Sequence, residues 1–195
     1  MMTTTSFYDP RLLTNVTVPN EVTGTNSIDW NFSSTLLQPQ SPAITKKPLY
    51  TISGIWMEKF RSSTSQLWCT HFNIPDVGCP ITGIELGIDL LRGSRIEDLI
   101  IQLTKDGTTL VGENRASTIN PVQSDMYTGN VTVMPEPVND NTIYGSSTDL
   151  WGTTWTSAEI AASTFGVVLS FQSNQILPHS DLAYLYQASI RVSYA

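Results

Sequence analysis

Residues Tyr144 to Phe171 constrain this chain most tightly, because a helix start and a half-buried strand follow one another there with almost nothing between them. Thr156 precedes Glu159 by three positions, the spacing at which hydroxyl and carboxylate each satisfy a free backbone N–H at a helix start. Trp155 just before that cap and Ile160 inside the first turn are placed to close over each other. Ser163 and Thr164 cut the helix to one or two turns. Phe165, Val167, Leu169 and Phe171 then alternate with Gly166, Val168 and Ser170, the period of a strand with one face buried. A short helix clamped beside a core strand is a structural device, and no residue in it is arranged for chemistry.

The same period recurs along the chain. Ile84, Leu86, Ile88 and Leu90 alternate with Glu85, Gly87 and Asp89, which predicts a half-buried strand. Tyr50–Trp56 and Gln66–Phe72 read as two strands joined by a polar loop, and 75–80 is dense enough in turn formers to reverse the chain. Asp98–Thr104 forms the next strand, with Lys105-Asp106-Gly107 as its hairpin, Gly107 in the left-handed position, and 108–111 as the return. Residues 114–141 read as a long connection with one short strand near 130–134. The last segment alternates from Leu182 to Tyr194, with Leu182, Tyr184, Tyr186, Ala188, Ile190, Val192 and Tyr194 on one face. Such a strand should pair centrally, because an exposed edge of that length aggregates. The expected fold is all-β: an antiparallel β-sandwich, jelly-roll or lectin-like, with one short helix.

Three of these stretches carry a resemblance. Tyr144-Gly145, Asp149-Leu150-Trp151-Gly152, Thr154-Trp155-Thr156, Ile160, Phe165-Gly166-Val167 and the terminal Ile190-Arg191-Val192-Ser193-Tyr194 resemble a β-sandwich module of tailed-bacteriophage structural proteins, found also in some bacterial surface proteins. Gly83-Ile84-Glu85-Leu86 through Asp98–Leu103 fits the same pattern, so the likeness spans roughly residues 78–195. It implies a virion or surface component and brings no catalytic motif with it.

Charge narrows the partners. The net charge is −7, and only 14% of residues are charged. Nucleic-acid binding needs clustered Lys and Arg to release counterions, and the ten here are scattered, so no nucleic-acid partner is expected. Hydroxyl and amide side chains supply the polarity, which suits sheets better than long surface helices. The opening residues lack a basic start and an apolar run, and no apolar stretch approaches the ~20 residues that cross a membrane. The expectation is a protein made in a host cytoplasm, without a membrane partner.

Residues 1–48 differ from the sandwich domain expected over 49–195. Pro10, Pro19, Pro39, Pro42 and Pro48 stand among Thr, Ser, Asn and Gln, with no sustained periodicity. Such a segment buries too little by itself to offset its ordering entropy. Phe7, Tyr8, Leu12, Leu13, Trp30, Phe32, Leu36 and Leu37 punctuate it at wide intervals. The reading is an extended N-terminal arm whose apolar anchors dock on a neighbouring subunit or on the chain's own sandwich.

The remaining reactive side chains give no constellation. Cys69, His71, Cys79 and the distant His179 lack the paired knuckle spacing of structural zinc sites. A Cys69–Cys79 disulfide conflicts with a reducing compartment, which favours buried free thiols. Glu85, Asp89, Glu97, Asp98, Glu113 and Asp149 could supply a carboxylate pair for glycoside hydrolysis, but Glu85 and Asp89 fall on a polar strand face and Asp149 reads as a turn residue bonding its own backbone. Two separated histidines and no nucleophile elbow exclude a triad. Trp151 and Trp155 could stack on a sugar, yet their place around a helix cap favours core. Asn15, Asn31 and Asn130 stand in glycosylation acceptor patterns that matter only in a secreted chain.

The expected role is therefore non-enzymatic and free of cofactors: a structural virion protein, a capsid decoration or cement protein bound to the major capsid protein or other virion proteins, self-associating as a trimer. The alternative is a lectin-like tail-fibre or baseplate module that holds host polysaccharide.

Overall fold

A computed structural model describes residues 3–16, 63–92, 96–117, 141–173 and 183–195. Alternating sequences become strands in two antiparallel sheets. In chain order the elements are β1 (Thr3–Thr4), β2 (Leu12–Val16), β3 (Gln66–Thr70), β4 (Ile81–Arg92), β5 (Ile96–Thr104), β6 (Leu110–Val111), β7 (Asn141–Ser146), α1 (Ser157–Ala161), β8 (Gly166–Ser173) and β9 (Ala183–Tyr194). One sheet has the order β1-β9-β4-β7 and the other β2-β3-β8-β5-β6.

The pairing is nested. β1 pairs with β9, β3 with β8, β4 with β7 and β5 with β6, all antiparallel. These are the pairs of one long hairpin rolled so that successive pairs fall in alternate sheets, which is jelly-roll connectivity. β2 is an additional edge strand beside β3. Rolling places the chain's middle and its ends in the same two layers, so almost every strand depends on partners far away in sequence.

The core fills the space between the sheets. Ile84, Leu86 and Ile88 face Leu67, Cys69, Ile101, Leu103, Val167, Leu169 and Phe171, and all are buried in one cluster. β9 lies inside its sheet between β1 and β4, as its length demands. Its expected single face does not hold, however. The register with β4 shifts between Asp89 and Leu90, whose partners are Gln187 and Leu185. This bulge moves Leu185 onto the buried side with Ala188, Ile190 and Val192, against simple alternation.

The start of the expected N-terminal arm lies on the chain's own sandwich. Tyr8 donates its N–H to the Ile190 carbonyl at 2.7 Å and accepts from the Ile190 N–H at 2.8 Å. Three residues on, Arg11 N–H donates to the Thr70 carbonyl of the other sheet at 3.0 Å. Residues 3–16 are thus one extended segment that edges the first sheet and then the second, crossing between them at Asp9 and the buried Pro10. Proline suits that corner because it has no N–H to satisfy. The segment buries little apolar surface locally but completes two backbone ladders, and that contribution is invisible to a local reading. The boundary expected at 48 and the strands expected at 50–56 and 130–134 lie outside the described residues.

Candidate functional site

Two regions hold the residues singled out by sequence: the corner from Asp149 to Phe171, and the edge segment 3–16. At the corner the helix start forms as its spacing requires. The Glu159 N–H donates to Thr156 Oγ1 at 3.2 Å and the Thr156 N–H to Glu159 Oε2 at 2.8 Å, a complete capping box before the single turn of α1. Lys105 Nζ reaches Glu159 Oε1 at 2.9 Å and the Thr154 carbonyl at 2.8 Å, and lies 4.8 Å from the centre of the Trp155 ring. The hydrogen bond from Lys105, followed by that from the Thr156 backbone, holds the Glu159 carboxyl below its ordinary value.

Both tryptophans are spent on this corner. Trp151 is fully buried, and its Nε1–H donates to the Ile84 carbonyl at 2.9 Å. Its φ of +59° is one that non-glycine residues seldom adopt. Asp149 accounts for the conformation: its Oδ1 accepts the Trp151 N–H at 2.8 Å while also pairing with Arg115 Nη2 at 2.7 Å. Trp155 is buried, donates Nε1–H to the Leu150 carbonyl at 2.9 Å and meets Phe165 edge-on at 5.4 Å. The core reading of Trp151 and Trp155 thus describes both rings, and the sugar-stacking alternative lacks the open ring face a platform needs.

The edge segment separates its four described anchors. Leu13 is buried in the chain's own core and Tyr8 packs against it, so these two anchors take the second of the two expected berths, the chain's own sandwich. Phe7 and Leu12 stay substantially exposed. Phe7 lies over the outer face of the four-stranded sheet, where a Cβ on Gly87 would stand 3.3 Å from its ring. It also covers the Arg191 guanidinium, 4.6 Å away, which binds both carboxylate oxygens of Glu85 at 2.8 and 2.9 Å. Trp30, Phe32, Leu36 and Leu37 lie outside the described residues.

Sequence reading missed two further exposed apolar side chains, Val16 on β2 and Ile143 on β7. Both sit on strands at the margins of their sheets, a position that local alternation does not reveal. It named Asp98 among the carboxylates but missed its burial: Asp98 accepts from Tyr144 Oη at 2.8 Å and from the Ser117 N–H at 3.2 Å. A carboxylate among apolar side chains with a tyrosine on it is a satisfied core pair.

The thiols are separate. Cys69 is buried, and desolvation pushes its thiol far above the ordinary value; Cys79 is half-buried, and both are free. His71 does not share the Cys69 face, because β3 ends at Thr70 and His71 takes φ +60°. His179 lies outside the described residues. Among the described residues, no three His, Cys, Asp or Glu side chains come together as a metal cage, and no helix is long and apolar enough to cross a membrane. No family model matches the chain, and no curated protein or solved structure is significantly similar to it.

Proposed function

We propose that this chain is a non-enzymatic structural protein of a tailed-phage particle, a decoration or cement protein that binds the major capsid protein or other virion proteins. One observation carries the reading. The large apolar side chains left exposed among the described residues, Phe7, Leu12, Val16 and Ile143, all stand on the marginal segments of the two sheets. Marginal strands with apolar side chains are where a sheet accepts another chain. Each such side chain contributes about 1.5–3 kcal/mol when covered, before the cost of ordering. Repetition over a shell multiplies a small gain into resistance to pressure, and self-association as a trimer would pair one copy's margin with the next.

Two further points support this reading. Jelly rolls serve in viral shells and in lectins, an association of fold and not of site. The residues that resemble the phage module (Tyr144, Trp151, Trp155, Phe165, Val167) are those that close the sandwich, as expected of a module kept for its shape. The lectin alternative shares the fold but lacks Trp151 and Trp155 as an open sugar platform.

The test is occupancy on particles. Labelled chain, co-expressed with the structural proteins of the same phage, should decorate assembled particles in electron micrographs. The triple variant Leu12→Lys, Val16→Lys, Ile143→Lys should keep its thermal midpoint and lose occupancy at least tenfold. Undiminished occupancy of the triple variant, or particles that never carry the chain, would overturn the proposal.

A further inference from the structure

Alternation along β4 and β9 turns Glu85, Gly87 and Asp89 and their partners Arg191, Ser189 and Gln187 to the outer face of the four-stranded sheet. The cross-strand pairs run in rows. Ile143 on β7 stands opposite Gly87, which in turn stands opposite Ser189. Phe7 joins that middle row from the edge. Thr4 pairs with Ser193 and Tyr8 with Ile190, so four residue steps on the edge segment run against three on β9. The extra residue is a bulge, and a bulge re-aims side chains. Tyr8 goes to the core, while Phe7 goes out and across β9 to Gly87.

Phe7 is held in that position. The Arg191 guanidinium lies over one face of its ring and is itself gripped at two points by Glu85. The Cε1–Cζ edge of the ring is turned to Gly87, where any Cβ would crowd it. Phe7 is nevertheless 39% exposed, and with one face and one edge taken the open part is the opposite face. Ile143, 49% exposed, closes the row on the far side of Gly87. The result is an apolar slot floored by a glycine and one strand spacing wide, ~4.8 Å, with polar groups two residues, about 6.8 Å, to either side along the strands. On one side stand Glu85 and Arg191. On the other stand Asp89 and Gln187, whose Nε2 donates to Oδ1 of the exposed Asp9 at 2.8 Å.

We infer that this slot is a subsite for one ring of a neutral sugar, with its C–H face stacked on Phe7 and its hydroxyls bonded to the flanking carboxylate, amide and guanidinium groups. Size selects a single ring. A protein docked flat on this face would need about 800 Å² per partner around a dry apolar centre, whereas one apolar row runs here between two polar ones. Charge selects a neutral ligand. Asp9, Glu85 and Asp89 surround one guanidinium, which disfavours phosphate and acidic sugars. Arg191 already occupies one face of the Phe7 ring, so a second cation across from it meets like charge. Hydroxyls donate to carboxylates and accept from Arg191 and Gln187, and they bring no charge of their own. The inference goes beyond the virion reading and does not rest on it.

The test follows the backbone amide shifts of the isotopically labelled full-length chain by NMR during titration with glucose, galactose, mannose and N-acetylglucosamine. At least one of these should shift the amides of Gly87, Ile143 and Arg191 saturably, with a millimolar Kd. Phe7→Ala should weaken that response at least tenfold at an unchanged thermal midpoint, while Phe7→Trp, which keeps a ring, should retain it. N-acetylneuraminic acid should bind at least tenfold more weakly than the best neutral sugar. No saturable shift at these amides with any of the four, or an equal response in Phe7→Ala, would overturn the inference. So would a stronger response to tetralysine than to every sugar, which would make the slot a seat for a basic partner. No readout uses particles, so failure of sugar binding and failure of particle binding are separate results.

Discussion

The corner from Asp149 to Phe171 and the edge segment 3–16 are both irregular, and they are held by opposite means. At the corner, side chains do the holding: two indole N–H groups, a capping box and an Asp149–Arg115 pair each meet a specific partner. Along the edge, the backbone does it, through ladders to β9 and β3, while Phe7, Leu12 and Val16 face outward. Side-chain locking writes itself into residue identity. Backbone pairing does not, because almost any residue supplies an N–H and a carbonyl. The corner is accordingly intolerant of substitution, and the edge is free to carry apolar side chains for another purpose.

The sharpest way to break this contrast is at Trp151. Trp151→Ala removes a fully buried indole and leaves the Ile84 carbonyl without its donor, so denaturant unfolding should show a loss of about 4 kcal/mol. A loss under about 1 kcal/mol would mean that the corner is not locked by side chains. Gly145→Ala should come next, at about 2 kcal/mol or more. Gly145 has φ +79°, and its added Cβ would stand 2.3 Å from the Ile84 carbonyl oxygen.

Two edge neighbours sharpen the comparison within one strand. Leu13→Ala should cost about 2–3 kcal/mol because Leu13 is in the core, whereas Leu12→Ala should stay within about 0.5 kcal/mol. Equal effects would show that the segment is not seated as a two-faced strand. Thr156→Ala then tests the cap alone, with an expected loss of about 1 kcal/mol in thermal or chemical unfolding.

The smallest effect is a pH dependence. The Glu159 carboxyl is held below its ordinary 4.5 by the hydrogen bonds from Lys105 and Thr156, so its stabilisation is present above that value. It is lost as pH falls through the lower folded value, because the unfolded chain then binds the proton first. Glu159→Gln should therefore flatten the decline of the thermal midpoint below about pH 4.5, and leave the slope near neutrality unchanged.

Legibility in the sequence follows the same division. The capping box, the left-handed Gly107 at φ +72°, the Asp149 turn and the strands around Ile84, Asp98 and Phe165 were all readable, since each rests on neighbours within a few residues. The core position of the tryptophans followed from that local frame. Which of the two expected berths residues 3–16 take, and on which strands, was not readable. Their partners, Ile190 and Tyr194 on one side and Cys69 and Thr70 on the other, are reached only after the chain has rolled up. The bulge that turns Leu185 inward is of the same kind.

Residue order by itself determined that this chain forms alternating strands with one clamped helical turn, because period and capping are properties of adjacent residues. Only the tertiary structure decided which strands meet, and that residues 3–16 edge both sheets. Pairing between distant strands depends on which backbone edges and apolar faces are left unmatched once the sandwich closes, and no local pattern encodes that remainder.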